Sequence, residues 1–123
     1  IFNKIDNCKI IGDRDKLIEI FTNLIDNSIK YSDKNKEIII TAKKDGDLII
    51  ISVADQGIGI PKESIHRITE RFFTVDPSKS RSVGGTGLGL AIVKHLVSQH
   101  RAEMNINSIE NQGTTIDIKF NSL

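Results

Sequence analysis

The sequence has little of what characterises secreted, membrane-spanning or nucleic-acid-binding chains. Its single cysteine, Cys8, excludes an intrachain disulfide and favours a reducing compartment. No apolar run approaches the length of a membrane span, and no stretch of these 123 residues resembles a signal peptide. Basic and acidic residues nearly cancel at 17 against 16, and tryptophan is absent, so we expect no nucleic-acid partner.

The length and composition are those of one ordinary globular domain. A chain of 123 residues is long enough for a single hydrophobic core, and 38% hydrophobic with 27% charged residues is usual for such a chain. We therefore treat residues 1–123 as one domain. Because the chain begins with Ile1 and Phe2 rather than methionine, we expect it to be a piece of a longer protein.

Hydrophobic periodicity and turn residues divide the chain into helices and strands. The apolar residues from Arg14 to Tyr31 follow helical spacing, and Asp13 is a suitable N-cap. The predicted elements are a strand within 8–13, a helix over 14–31, a hairpin of strands over 37–44 and 48–55, a helix from Pro61 to about Phe72, a loop over 74–86, a helix from about Gly87 to His100, and strands over 102–109 and 114–120. Because hairpins dominate and βαβ alternation is absent, we predict a mixed sheet with helices on one face.

One face of the first predicted helix carries Asn23, Asn27 and Lys30. Steps of four and seven residues return to within about 40° of the same direction, so these polar groups form one stripe. A solvated helix face is the ordinary explanation for such a set. The alternative is a ligand site, because an amide oxygen suits Mg²⁺ and a lysine is a point charge for phosphates.

The stretch DQGIGIP, residues 55–61, ends the second strand of the predicted hairpin. Gly57 and Gly59 let the backbone turn and approach a ligand closely, although a plain turn before a helix also explains them. Asp55 is an acceptor-only carboxylate at the strand end. If it is partly buried, it suits an exocyclic amine such as that of adenine.

The stretch GGTGLGLAIVKH, residues 84–95, is a glycine-rich segment that continues into a helix. It does not match the dinucleotide fingerprint, because Leu90 stands where the last glycine is required, and the chain has no P-loop. It nevertheless places backbone N–H groups at a helix N-terminus, where phosphate is favoured. Lys79 and Arg81, in the preceding loop, are either ordinary solvated charges or groups that close over that phosphate.

Four stretches taken together resemble the N, G1, F and G2 boxes of sensor histidine kinases: NLIDNSIKY, DQGIGIP, ERFF and GGTGLGLAIVKH, in that order. The resemblance covers residues from about 12 to 120. It implies an ATP-binding catalytic domain of the GHKL type, an α/β (α+β) two-layer sandwich in which about three helices cover one face of a mixed sheet. It also implies a flexible ATP lid over about 74–86.

The same resemblance implies roles for individual residues. Asn27 would ligate Mg²⁺ with Asn23 beside it, and Lys30 would reach the phosphates. Tyr31 would lie near the adenine or ribose, and Asp55 would accept from the adenine amine. The full set implied to bind Mg-ATP is Asn23, Asn27, Lys30, Tyr31, Asp55, Gly57, Gly59, Ile60, Arg71, Phe72, Lys79, Arg81, Gly85, Thr86, Gly87, Leu88, Gly89, Leu90 and Thr114, with Asn27 and Asn23 at the metal.

The F box departs from the usual family pattern at its end. Thr74 stands where the family often has an arginine that helps to hold the terminal phosphate. Arg71, Lys79 or Arg81 would then take that role, or the grip on phosphate would be weaker.

The resemblance also implies partners outside this chain. The family's phospho-accepting histidine lies on a separate helical-hairpin dimerisation domain of the same protein, and His66, His95 and His100 lack its sequence context. We therefore expect no catalytic residue in this chain, a homodimeric parent and a response regulator downstream. We also expect a cytoplasmic position, with the parent anchored in the inner (cytoplasmic) membrane.

Three other functions remain open at the level of sequence. A GHKL ATPase motor uses a glutamate base at the position of Asn23, where an amide has no useful basicity. An anti-sigma switch protein phosphorylates a serine of its partner through a related ATP site. A nucleotide-binding regulator without activity is kept open by Thr74.

Overall fold

The computed structural model describes residues 2–5, 10–32, 35–75, 77–78 and 88–121, with the backbone alone for 2–5. The predicted hairpin, the first and last helices and the two closing strands are confirmed to within about two residues. The elements are, in chain order, β1 (Phe2–Ile5), α1 (Arg14–Lys30), β2 (Ile38–Asp45), β3 (Leu48–Asp55), a 3₁₀ helix (Lys62–Ser64), α2 (Gly89–Gln99), β4 (Glu103–Ile109) and β5 (Gly113–Asn121).

The strands form one mixed sheet in the order β1-β2-β3-β5-β4. β1 pairs parallel with β2, and the other neighbours pair antiparallel. Helices α1 and α2 pack against each other and against the sheet. In β5 the alternate residues Ile116, Ile118 and Phe120 are buried, as the two-residue period of a strand requires. They join Ile20 and Leu24 of α1 in one core, so the predicted two-layer sandwich is confirmed.

Helix α1 begins and ends as its sequence predicts. The Asp13 carboxylate accepts from the backbone N–H groups of Asp15 and Lys16 at 3.0 and 3.1 Å, which satisfies two donors of the first turn. At the other end, the Tyr31 N–H donates to the Asn27 carbonyl at 3.2 Å. None of the described helices has the length and apolarity needed to cross a bilayer.

The strand predicted within residues 8–13 is wrong over 10–13, and residues 8 and 9 lie outside the described part; the first strand is β1. Asp13 donates its backbone N–H to His100 Nε2 at 3.1 Å rather than to a neighbouring strand. Gly12 lies so close to that ring that an added Cβ would be 2.9 Å from its Cδ2 atom. This short run joins α1 to the end of α2, a role that a few apolar residues do not distinguish from a strand.

The helix predicted from Pro61 to about Phe72 is instead a 3₁₀ helix followed by turns. The Arg67 N–H donates to the Ser64 carbonyl across three residues, and Phe72 has a φ of 65°, which interrupts helical progression. Ile68 is the only buried residue of 61–73, so packing offsets little of the cost of nucleating a helix. Within the described residues the sheet is therefore covered by two α-helices and this segment, rather than by three helices.

Helix α2 ends in a left-handed turn at Arg101. Arg101 has a φ of 53°, and the Ala102 N–H donates to the Val97 carbonyl at 3.1 Å, which closes the helix end. A side chain in this conformation costs about 1–2 kcal/mol that glycine avoids. The left-handed conformation of Arg101 therefore bears on stability.

Leu24→Ala should lower the free energy of unfolding by about 2–5 kcal/mol, because Leu24 is 1% exposed and its truncation leaves a cavity beneath α1. Ile29→Ala is the matched control, since Ile29 lies on the same helix and is 52% exposed, and it should cost about 1 kcal/mol or less. Urea denaturation of both variants measures the difference. Equal losses would contradict the burial of Leu24.

Candidate functional site

A cavity of about 270 Å³ lies where α1, the end of β3 and the start of α2 meet. Its walls include apolar residues that sequence reasoning did not assign to the site, among them Ile68, Phe73 and Ile116. The predicted site residues that line it are Asn23, Asn27, Lys30, Tyr31, Asp55, Gly59, Ile60, Leu88, Gly89, Leu90 and Thr114. The structure thus brings residues from four distant parts of the sequence to one place.

Three predicted residues are described but do not line the cavity. They are Gly57, Arg71 and Phe72, and Phe72 is 73% exposed. Phe73 and Thr74 line the cavity in their place. The family resemblance implied Arg71 and Phe72, whereas the residues of this segment that line the cavity are Ile68, Phe73, Thr74 and Val75.

Five predicted residues lie outside the described part of the chain, together with most of the predicted lid over 74–86: Lys79, Arg81, Gly85, Thr86 and Gly87. Their roles stay predictions. The described chain resumes at Leu88, where α2 begins with its N-terminus at the cavity.

The polar stripe of α1 faces the cavity. The Asn23 amide nitrogen donates to the Glu19 carbonyl at 2.9 Å, which leaves Oδ1 as the atom for a ligand. That oxygen lies near α2, since a Cβ built on Gly89 would be 3.6 Å from it. Lys30 Nζ pairs with Asp26 Oδ2 at 3.0 Å, and Asp26 also lines the cavity. Sequence reasoning missed Asp26 because such a pair is common on any helix surface.

The side-chain oxygens at this end of the cavity are suitable ligands for a hard divalent cation. Amide oxygens of Asn23 and Asn27 and the carboxylate of Asp26 are ligands that Mg²⁺ accepts. Among the residues with described positions, no group of three or more His, Cys, Asp or Glu could hold a metal by itself. A bound Mg²⁺ would therefore need further oxygens from substrate phosphates or water, which is how Mg²⁺ is usually held.

Asp55 accepts hydrogen bonds from three parts of the chain. Its Oδ1 accepts from the backbone N–H of Gly57 at 2.9 Å and from that of Thr114 at 3.2 Å. Its Oδ2 accepts from the Ser28 hydroxyl at 3.1 Å. Since a carboxylate has about four acceptor positions, one remains on Oδ2 for a ligand. The side chain is thus held in one orientation and offers an acceptor to the cavity.

Ser28 contributes to the site through Asp55, although the helical pattern did not indicate this role. It lies on the buried stripe of α1 with Ile20 and Leu24, and it is 5% exposed. In the sequence it occupies an apolar position, where a small serine is easily tolerated. The available signal was its hydroxyl, because a buried hydroxyl requires a partner, and that partner is Asp55.

Gly57 and Gly59 are required by close backbone contacts. A Cβ on Gly57 would collide with the Tyr31 carbonyl oxygen, which accepts from the Ile58 N–H at 3.2 Å. Gly59 has a φ of 68°, and its Cβ would collide with the Ile109 carbonyl oxygen. The loop after β3 therefore lies directly against the end of α1 and the β4–β5 turn.

Comparison with known proteins identifies relatives over most of the chain. Residues 12–122 match the family described as "Histidine kinase-, DNA gyrase B-, and HSP90-like ATPase". The sensor histidine kinase WalK of Bacillus subtilis (strain 168) is 42% identical over 106 residues, which are 85% of this chain and 17% of that protein. The chain therefore spans less than a third of the length of the curated relatives that it matches.

Solved structures share the fold. The mycobacterial sensor histidine kinase MprB superposes with a TM-score of 0.85 at 29% identity, over 98% of this chain and 80% of that one. Full-length ShkA in complex with AMPPNP superposes with a TM-score of 0.79 at 27% identity, over 98% of this chain and 26% of that one.

Gly57→Ala should lower the free energy of unfolding by about 1–3 kcal/mol, because the added methyl group would force the loop away from α1. Gly89→Ala is the control: its Cβ would meet Asn23 Oδ1 at an ordinary 3.6 Å, so stability should stay unchanged or rise by up to about 1 kcal/mol. Both values come from urea denaturation. A Gly57→Ala variant as stable as Gly89→Ala would refute the close approach of loop and helix.

Proposed function

The chain belongs to the histidine kinase-, DNA gyrase B- and HSP90-like ATPase family, and from this premise we propose that it binds Mg-ATP and donates the γ-phosphate to a histidine of another domain. One observation carries the proposal: three chemically different groups line a single cavity. They are the Asp55 carboxylate, the amide oxygens of Asn23 and Asn27, and the N-terminus of α2. A hydrogen-bond acceptor, metal ligands and an anion site are the parts that a nucleoside triphosphate requires.

We place the adenine at the Asp55 end of the cavity. The acceptor position left on Oδ2 matches an exocyclic amine, and Ile58, Ile60 and Ile116 supply apolar surface for a flat ring. Tyr31 lines the same cavity, which supports its predicted place near the adenine or ribose.

The triphosphate would extend from there towards the start of α2. Backbone N–H groups and the helix dipole favour negative charge at Gly89, and Lys30 adds a positive charge at the cavity wall. Asn27 and Asn23 would hold Mg²⁺, which when bound neutralises charge on the phosphates and so favours phosphoryl transfer.

The chemistry of Asn23 favours transfer to a protein over hydrolysis. An amide cannot accept a proton from an attacking water at neutral pH, and the Asn23 nitrogen already donates to the Glu19 carbonyl. An ATPase motor built on this site would lack its general base. We therefore expect the chain to release phosphate from ATP only slowly.

The acceptor histidine is proposed to lie on a separate helical hairpin. His100 uses both ring nitrogens inside the fold, Nε2 with the Asp13 N–H and Nδ1 with the Leu96 carbonyl. His66 and His95 are exposed, and neither lines the cavity. No histidine of the described residues is therefore placed to receive phosphate from this cavity.

Partners and location follow from the similarity to sensor histidine kinases. We propose a histidine-bearing dimerisation domain of the same protein and a response regulator as partners, with a homodimeric parent. Cytoplasmic placement of this domain and anchorage of the parent in the inner membrane stay predictions.

A nucleotide-binding regulator without kinase activity is the second candidate. The observation that favours it is Thr74, which lines the cavity where the family often has an arginine. Threonine cannot neutralise phosphate charge, so under this alternative ATP would bind without transfer.

Asn27→Ala should weaken Mg-ATP binding by roughly tenfold or more, because it removes an oxygen ligand of the metal, while metal-free ADP binding should change much less. Thr22→Ala, exposed on the same helix and outside the cavity lining, is the matched control and should change neither. Calorimetric titration of each variant measures both ligands. Equal weakening of Mg-ATP binding and metal-free ADP binding would contradict the role of Asn27 as a metal ligand.

Radiolabelled ATP tests the reaction itself. The chain alone should form no phosphohistidine, because transfer needs an in-line nucleophile that the cavity lacks. When the chain is mixed with or joined to a histidine-bearing helical hairpin, the hairpin should acquire an acid-labile label. Label on His66, His95 or His100 would contradict the proposal. ATP binding without any label on a folded hairpin would favour the regulator.

A further inference from the structure

The Ser108 hydroxyl joins the loop after β3 to the β4–β5 turn. Ser108 lies near the end of β4 and is directly opposite Thr114 of β5. Its Oγ accepts from the Ile60 N–H at 2.8 Å and donates to the Gly113 carbonyl at 3.0 Å. It also lies 2.8 Å from the Thr114 hydroxyl oxygen. One half-buried oxygen thus has three partners beside the cavity.

The directions of these hydrogen bonds follow from the number of protons available. A backbone N–H can only donate and a carbonyl can only accept, so Ile60 uses one lone pair of Ser108 and Gly113 uses its single proton. The contact between Ser108 and Thr114 then has one possible donor, the Thr114 hydroxyl. Thr114 is one of the residues that line the cavity, and its hydroxyl oxygen keeps lone pairs for a ligand but has no proton to give.

Asp55, which is hydrogen-bonded to Thr114, is likewise a hydrogen-bond acceptor. The Thr114 N–H donates to Asp55 Oδ1 at 3.2 Å, so the two residues are held together, and the Asp55 carboxylate also accepts only. The corner of the cavity formed by Asp55 and Thr114 therefore offers acceptors and no side-chain donor. Such a corner favours a ligand edge that presents N–H groups and penalises one that presents a carbonyl.

We propose that Ser108 is a specificity-determining positioning residue, which acts by holding the Thr114 hydroxyl as an acceptor toward the bound base. The inference rests on the proposed function and extends it to base selectivity. With Ser108 in place, the site takes a purine with an amine at its sixth position and rejects one with a carbonyl there. Without Ser108, the Thr114 proton has no fixed acceptor and is free to turn into the cavity.

Three nucleotides that differ only on that edge of the purine separate this role from a structural one. At position 6, ATP has an amine, inosine triphosphate has a carbonyl and purine riboside triphosphate has a hydrogen; inosine also carries a proton on N1, beside the carbonyl. Calorimetric titration of the unmodified chain with Mg²⁺ should rank them ATP, then purine riboside triphosphate, then inosine triphosphate. In Ser108→Ala, the penalty of inosine triphosphate relative to purine riboside triphosphate should fall about tenfold.

Matched variants define what that change means. Thr114→Val removes the hydroxyl, so it should also reduce the penalty, and adding Ser108→Ala to it should change the penalty no further. Ser108→Thr keeps the hydroxyl and should keep the unmodified ranking. Asn105→Ala, exposed on the same strand, should leave all three affinities unchanged.

The outcomes are distinguishable. If Ser108→Ala weakens all three nucleotides by the same factor, Ser108 has a structural role only and the inference fails. If Ser108→Ala does not fold, Thr114→Val decides alone: an unchanged penalty overturns the inference, and a reduced penalty supports it. If the unmodified chain binds none of the three nucleotides, it is the proposed function that fails.

Discussion

The hydrogen bonds to the Asp55 carboxylate hold the site together. They connect the Ser28 hydroxyl of α1, the Gly57 N–H of the loop after β3 and the Thr114 N–H of β5 to one side chain. The oxygens of a half-buried carboxyl group must be satisfied by donors, and each donor used here belongs to a different element. This requirement brings those elements together at one end of the cavity.

Helix α1 has two faces with separate roles. Leu24 and Ile20 pack into the core and carry the stability of the two layers, whereas Asn23 and Asn27 face the cavity with neutral oxygens. Neutral ligands suit a metal whose charge is balanced by phosphates, and they also deprive a bound water of a base. Under the proposed function, the same choice of amides would favour Mg-ATP binding and phosphoryl transfer and would disfavour hydrolysis.

Sequence patterns predicted the elements whose partners are local or regular. Asp13, the helical stripe of α1 and the Asp-Gly hairpin follow from capping, a 3.6-residue period and a two-residue period. The segment around Phe72 did not follow, because its apolar spacing resembles a helix while too little of it is buried to offset nucleation. In this segment Phe73 lines the cavity, whereas the family resemblance implied Phe72.

By itself the sequence determined the family resemblance and the α-helices and strands from α1 onwards, apart from the segment 61–72, since these depend on residue type and spacing along the chain. It also named candidate nucleotide-binding residues, whose roles stay predictions. Only the tertiary structure decided how those groups are oriented. Ser28 in its helix and Ser108 in its strand look like ordinary small residues of those patterns. Their roles depend on partners 27 and 48 residues away, at Asp55 and Ile60, and a hydrogen bond has a direction only when both partners are in place.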